Sequence, residues 1–312
     1  MKIKRLVRMK KLTFQDLTIY VFIILLFASN GFASDKLVVF VSILPQKYFV
    51  QQIGKDLIDT KEMVRPGANP AIYEPKPKQM VDLLKAKIYF AIGVPFEKHW
   101  LKKIASFNPQ MIISHTDHGI EKIPMQTHHD QKKHHEDNDL ENREKHNHEH
   151  GSLDPHVWLS PPLVRIISKN IFNGLCKIDP VHKSSYKQNF AEFMARINKL
   201  DADIKKRFEN KRKMRFIVFH PAWGYFANSY DIKQVPIEIE GKDAKASQLK
   251  EIIQYARKNE INTIFIQPQF YTKSAKLIAK AIDANIVFAD PLAENWMTNL
   301  QEFANKLDRV LK

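Results

Sequence analysis

The stretch Glu144 to Pro161, "EKHNHEHGSLDPHVWLSP", holds His146, His148, His150 and His156. Imidazole nitrogens are donors for borderline divalent cations, zinc foremost. The first three alternate with polar residues, whereas His156 sits in an apolar, proline-flanked setting. Five more histidines (His118, His128, His129, His134 and His135) precede them, so the segment 117–152 carries eight, with almost no apolar residues. Such a segment cannot bury enough surface to offset the entropy of ordering it. Its composition is that of a His-rich metal-binding tract, and it is expected to be a mobile loop whose eight histidines act as exchangeable accessory ligands.

Two further polar residues end apolar runs. His220 closes "RFIVFH" and Asp290 closes "NIVFAD". In open parallel sheets, ligands bind beyond the carboxyl ends of the strands. Together with His156, these residues make a set of two imidazoles and one carboxylate. That set suits Zn²⁺ first, with Mn²⁺ or Fe²⁺ next. Each residue alone has a plainer reading: a histidine at a strand end serves as a hydrogen-bonded surface residue, and Asp before Pro-Leu opens a turn. Cys176 is the only cysteine, so an intrachain disulfide is excluded and metal ligands must be nitrogen or oxygen.

Elements to position these groups are legible on both sides. "LVVFVSI" (Leu37 to Ile43), "IYFAI" (Ile88 to Ile92) and "MII" (Met111 to Ile113) are apolar runs of the kind buried on both faces of a sheet. Helical patterns at Lys76–Ala86 and Phe96–Phe107 separate them. A second series follows in Arg215–His220, Thr263–Gln267 and Asn285–Asp290, with helices at Ser247–Arg257, Thr272–Ile282 and Glu294–Leu311. Strands alternating with helices predict an α/β fold of two lobes, each a mainly parallel sheet flanked by helices. Between them, Tyr186, Phe190, Phe193, Ile197, Leu200, Ile204 and Phe208 recur every three or four residues. They predict one long rigid helix of about 30 residues, roughly 45 Å, with Asp179 as N-cap and Pro180 at its first position. The expected boundaries are an N-terminal lobe over 34–178, the linking helix over 179–212 and a C-terminal lobe over 213–312.

At the amino end, six basic residues precede the apolar run Ile19 to Ala28, with Gly31 and Ala33 beyond it. Ten residues are too few to span a bilayer of roughly 30 Å, and the pattern is that of a signal peptide over 1–33, cleaved near Ala33–Ser34. An uncleaved anchor is the alternative. No cysteine follows the run, which argues against a lipid anchor. The expected location is the periplasm. The 312 residues carry a formal +15; the first 33 hold six basic residues against Asp16, leaving +10 on the rest. The remaining lysines and arginines are scattered, with no basic stripe interleaved with aromatics, so nucleic acid is not an expected partner. The chain has no GxGxxG or Walker-type motif to hold a dinucleotide or nucleoside triphosphate.

The stretches "VSILPQKYFVQQIG", "PGANPAIYEPKPKQM", "YFAIGVPFE", "DPHVWLSP", "FHPAWGYFANSYDI" and "FADPLAENW" run the length of the mature chain in a recognisable order. The sequence resembles the zinc- and manganese-binding solute-binding proteins of bacterial ABC importers. That resemblance implies two α/β lobes joined by one rigid helix, with metal held between them. It also implies delivery of the metal to a membrane permease, no enzymatic activity and a monomeric state. It places the second ligand on His156, the third on His220 and an acidic fourth on Asp290. A histidine at position 220 is similar to the zinc-type members, so Zn²⁺ is the expected cargo and Mn²⁺ the alternative.

The sequence departs from the family pattern at two positions. Ala71 stands where the first histidine ligand is expected, in "GANPAIYEP", and Gln267 stands where the family often has Glu. Alanine binds no metal. Water, a tract histidine such as His150, or decay of the core site into a zinc buffer for a paralogue are the alternatives open at this point. A zinc hydrolase needs a general base, for which Glu74 and Glu240 are the sequence candidates, neither in an HExxH setting. A surface adhesin has no distinctive feature in the chain.

Overall fold

The computed structural model describes residues 36–126, 152–238, 246–268 and 273–311. The segment 1–33, Glu240, and His128, His129, His134, His135, His146, His148 and His150 lie outside the described residues.

Four parallel strands form the first sheet: β1 (Leu37–Val41), β2 (Ile58–Glu62), β3 (Ile88–Ala91) and β4 (Ile112–His115), in the order β2-β1-β3-β4. Around it lie α1 (Leu44–Gly54), α2 (Pro77–Leu83) and α3 (Pro95–Phe107). Two more helices follow, α4 (Pro161–Ile178) and α5 (Lys183–Phe208). The first four helices each carry proline in their first two positions, where the missing N–H costs nothing and the fixed φ is helical.

The second sheet repeats the first. Strands β5 (Arg215–Val218), β6 (Lys233–Pro236), β7 (Thr263–Ile266) and β8 (Asn285–Phe288) pair in parallel in the order β6-β5-β7-β8. Helices α6 (Gly224–Ser229), α7 (Ala246–Lys258), α8 (Lys273–Ala281) and α9 (Trp296–Val310) accompany it. Side chains alternate across β5: Phe216 and Val218 join the large core shared with the first sheet, while Ile217 and Phe219 join a smaller cluster with Ile252 and Ile278 on the other face. The predicted two-sheet α/β architecture is therefore present.

Helix α5 buries Tyr186, Phe193, Ile197, Leu200, Ile204 and Phe208, and Phe190 stacks on Phe172 of α4 with centroids 5.0 Å apart. Its start differs from the sequence expectation. Pro180–His182 form a 3₁₀ turn before the helix. The Asp179 carboxylate instead accepts the Tyr186 hydroxyl at 2.6 Å and His182 Nδ1 at 2.7 Å. Burial alone would raise the pKa of Asp179, but these donors outweigh it and hold the carboxyl below its ordinary range. The two sheets meet through aromatic packing: Phe49 of α1 stands edge-on to Trp296 of α9 at 5.1 Å.

The segment expected to be mobile from position 117 is structured in its first ten residues. Residues 117–126 are ordered, because Met125 N donates to Ser152 O at 3.0 Å and Asp154 N to Ile123 O at 2.9 Å, around a Pro124–Leu153 antiparallel bridge. Backbone pairing, which composition does not reveal, fixes this stem. His118 therefore sits on an exposed, structured turn whose carbonyl accepts Asn170 Nδ2 at 2.9 Å.

Candidate metal centre

Each strand of the second sheet delivers one polar side chain just past its carboxyl end. His220 follows β5, Glu238 follows β6, Gln267 follows β7 and Asp290 follows β8. The strand order places Glu238 and Gln267 on either side of His220. Asp290 lies two strands from His220, roughly 10 Å at the usual inter-strand spacing.

His156 arrives from the other direction, in the segment after the stem. Tyr225 of α6 anchors that segment: its hydroxyl donates to Asp154 O at 3.0 Å and accepts Ile123 N at 3.1 Å. Burial pushes the Tyr225 phenol up to about 12, so it stays a neutral donor. Two indoles complete the join. Trp158 Nε1 donates to Pro291 O at 2.7 Å, and Trp296 Nε1 to Trp158 O at 2.6 Å. The DPHVW turn and the ADPLAENW turn, far apart in sequence, are thus bound together.

The result is a pair of imidazoles, His156 and His220, with ring centroids 5.2 Å apart and planes at 73°. Each has its own carboxylate. His156 Nδ1 lies 2.7 Å from Asp154 Oδ1, and His220 Nδ1 lies 3.0 Å from Glu238 Oε2. An ionised carboxylate only accepts, so each Nδ1 carries the proton and each Nε2 keeps its lone pair. This carboxylate–imidazole arrangement is the one that orients histidines toward a metal. Asp154 also accepts the His156 backbone N–H at 2.9 Å, fixing main chain and ring together. His156 is buried, and burial lowers its pKa below the ordinary imidazole value, opposed in part by Asp154. The neutral, metal-binding form is favoured.

Gln267 is not the lost ligand that its position suggests. Its Oε1 accepts His220 N at 3.2 Å and its Nε2 donates to His220 O at 2.8 Å. A carboxylate could not make the second bond. The acidic group beside His220 is Glu238, which the sequence reading missed because it did not see β6. The alternation of Val235 and Ile237, both buried, was the available signal.

The other sequence candidates are placed as follows. Asp290 is half-buried, and its Oδ1 accepts Leu292 N at 2.9 Å, the turn-opening role read as the plainer alternative. Among the described residues, no group of three or more His, Cys, Asp or Glu is arranged to hold a metal ion. The structure thus brings His156 and His220 together. Ala71 lies exposed on the connection after β2, its N–H donating to Asn69 Oδ1 at 2.8 Å. Glu74, a sequence candidate for a general base, is exposed. No helix among the described residues is long and apolar enough to cross a membrane.

Two parallel α/β sheets share a core, with an imidazole pair where the connections beyond their strands meet. The family model described as "ZnuA: Zinc-uptake complex component A periplasmic" matches residues 39–310, and the chain belongs to this family. It is 30% identical over 254 residues to the high-affinity zinc uptake system protein ZnuA of Bacillus subtilis (strain 168), covering 80% of this chain and 76% of that protein. A crystal structure of ZnuA superposes with a TM-score of 0.78 at 35% identity, covering 89% of this chain and all of that one (100%). A ZnuA deletion mutant with zinc bound gives the same TM-score, 0.78, at 34% identity, with 89% and 99% covered.

Proposed function

We propose that the chain captures Zn²⁺ outside the cytoplasm and hands it to the permease of an ABC importer, acting as a carrier and not as a catalyst. The observation that carries this reading is the His156–His220 pair, with both Nδ1 atoms committed to buried carboxylates. Two imidazole Nε2 atoms are donors that zinc accepts readily and manganese accepts less well. Membership of a periplasmic zinc-uptake family supports the cargo and the compartment. The signal peptide over 1–33 and a monomeric state belong to the same reading.

In this reading His156 and His220 are the primary ligands, and Asp290 supplies an oxygen donor from across β7. Ala71 contributes nothing, so solvent completes the coordination, as at other three-ligand zinc sites. The tract histidines, His118 through His150, hold zinc more loosely and exchange it. The test is chelator competition for Zn²⁺ and Mn²⁺ with the intact chain, His156→Ala, His220→Ala, and a form lacking 127–151. The expected result is one tight zinc site that survives loss of the tract and disappears with either histidine. Tight binding that vanishes with the tract and ignores both substitutions would overturn the assignment.

A further inference from the structure

The two carboxylates behind the imidazoles are unusual in what they leave unmet. Asp154 and Glu238 are almost wholly buried, at 1% and 3% exposure. Each spends one oxygen on its histidine, while Asp154 Oδ2 and Glu238 Oε1, both buried, have no hydrogen-bond partner among the described residues. Among the described residues, the ion-pair partner of each is its histidine, with no lysine or arginine beside it. Gly224 sits against Asp154 so closely that a Cβ there would come within 2.8 Å of Oδ2. Buried negative charge without a hydrogen bond or a cation is costly. Two such charges beside one pair of metal donors call for a cation to offset them.

We propose that Asp154 and Glu238 are the counter-charge of the site. They do not touch the metal, yet they set its preference for a divalent over a monovalent cation. This rests on the assignment of His156 and His220 as ligands. Two neutral imidazoles alone would also suit a soft monovalent ion, which is content with two nitrogen donors. The carboxylates break that tie. Coulomb attraction is linear in the ion's charge, so each buried carboxylate favours a divalent ion twice as strongly as a monovalent one. The two buried carboxylates by themselves match the charge of Zn²⁺. Glu238 and Asp154 are therefore specificity-determining residues, and Gln267 supports them by holding the His220 backbone while Glu238 holds its ring.

The test compares Zn²⁺ with Ag⁺, an air-stable monovalent ion with affinity for imidazole, in chloride-free medium. The full chain, Glu238→Gln and Asp154→Asn are titrated at the tightest site, the one that His220→Ala removes. Glutamine and asparagine keep an oxygen that accepts the Nδ1 proton, so ring orientation is retained while charge is lost. Zinc affinity should fall about 10- to 100-fold, the range for outer partners of metal ligands. Silver affinity should fall by half as many powers of ten, about 3- to 10-fold. Metal-free melting temperatures identify a variant that fails to fold, in which case the other carries the test. Equal logarithmic losses for the two ions, or no loss for either, overturn the counter-charge and leave zinc capture standing. Zinc binding indifferent to His220→Ala in the parent chain removes the site and the proposal together.

Discussion

The two sheets share one strand order, with the second-numbered strand at the edge and the first and third at the centre. Their carboxyl edges have opposite chemistry. In the first sheet the polar groups satisfy one another. Gln46 accepts the N–H groups of Ser42 and Ile43 at 3.0 and 3.3 Å and donates to Phe90 O and Thr116 Oγ1. Glu97 accepts Ile92 N at 3.0 Å, Gly93 N at 2.8 Å and the Ser42 hydroxyl, which also meets Tyr89 at 2.8 Å. Burial raises the Glu97 pKa despite those donors. In the second sheet, His220 follows β5 and Glu238 follows β6, and a buried Glu238 oxygen is left over. Identical topology creates two potential ligand edges; unmet hydrogen bonding marks the second as the one proposed to hold metal.

The sharpest way to break this comparison is His220→Ala. Tight zinc affinity should fall more than about 100-fold, beyond the range for residues that only orient ligands, as read by chelator competition. Gln267→Ala comes next. It frees the His220 backbone without removing a donor, and zinc affinity should fall about 10-fold; an unchanged value would mean that β7 does not hold the ligand.

A change of pH sharpens the contrast between the buried pair and the tract. Zinc requires neutral imidazole. Burial lowers the His156 pKa, so its neutral form persists to lower pH than that of an imidazole in free solution. Between pH 7.5 and pH 6, bound zinc should drop toward one ion per chain. Loss of the tight ion before the others would reverse the assignment. The smallest effect on zinc is expected from Glu97→Gln. Affinity should stay within about 2-fold because the first edge is closed, while urea unfolding should show a loss of about 1–3 kcal/mol from disturbed buried hydrogen bonds.

What was legible in the sequence follows from burial. The central strands β1, β3, β5 and β7 lie in the core and read as apolar runs. The edge strands β2, "IDTKE", and β6, "KQVP", did not, because half their positions face solvent or hold polar groups such as Gln234, which caps Trp223 N at 3.0 Å. Without β6 in view, nothing in the sequence pattern singles out Glu238 as the partner of His220. Helix α4 carries a legible signal, with Val164, Ile167, Ile171 and Leu175 recurring at helical spacing behind a Pro-Pro start, but it falls outside the expected helices. His156 stands out through its apolar, proline-flanked setting and His220 through its strand end, and the structure brings the two rings together. That Gln267 clamps a backbone was not legible, since side-chain identity does not say which partner an amide meets.

The central claim is that zinc is held by His156 and His220 through Nε2, with both Nδ1 atoms turned to carboxylates. Crystals of the full chain grown with one equivalent of Zn²⁺ and measured at the zinc absorption edge test it most directly. The account expects the strongest anomalous peak about 2.0–2.1 Å from both Nε2 atoms, with Asp154 and Glu238 still on the Nδ1 side. A strongest peak elsewhere, or zinc bound through Nδ1, would contradict it.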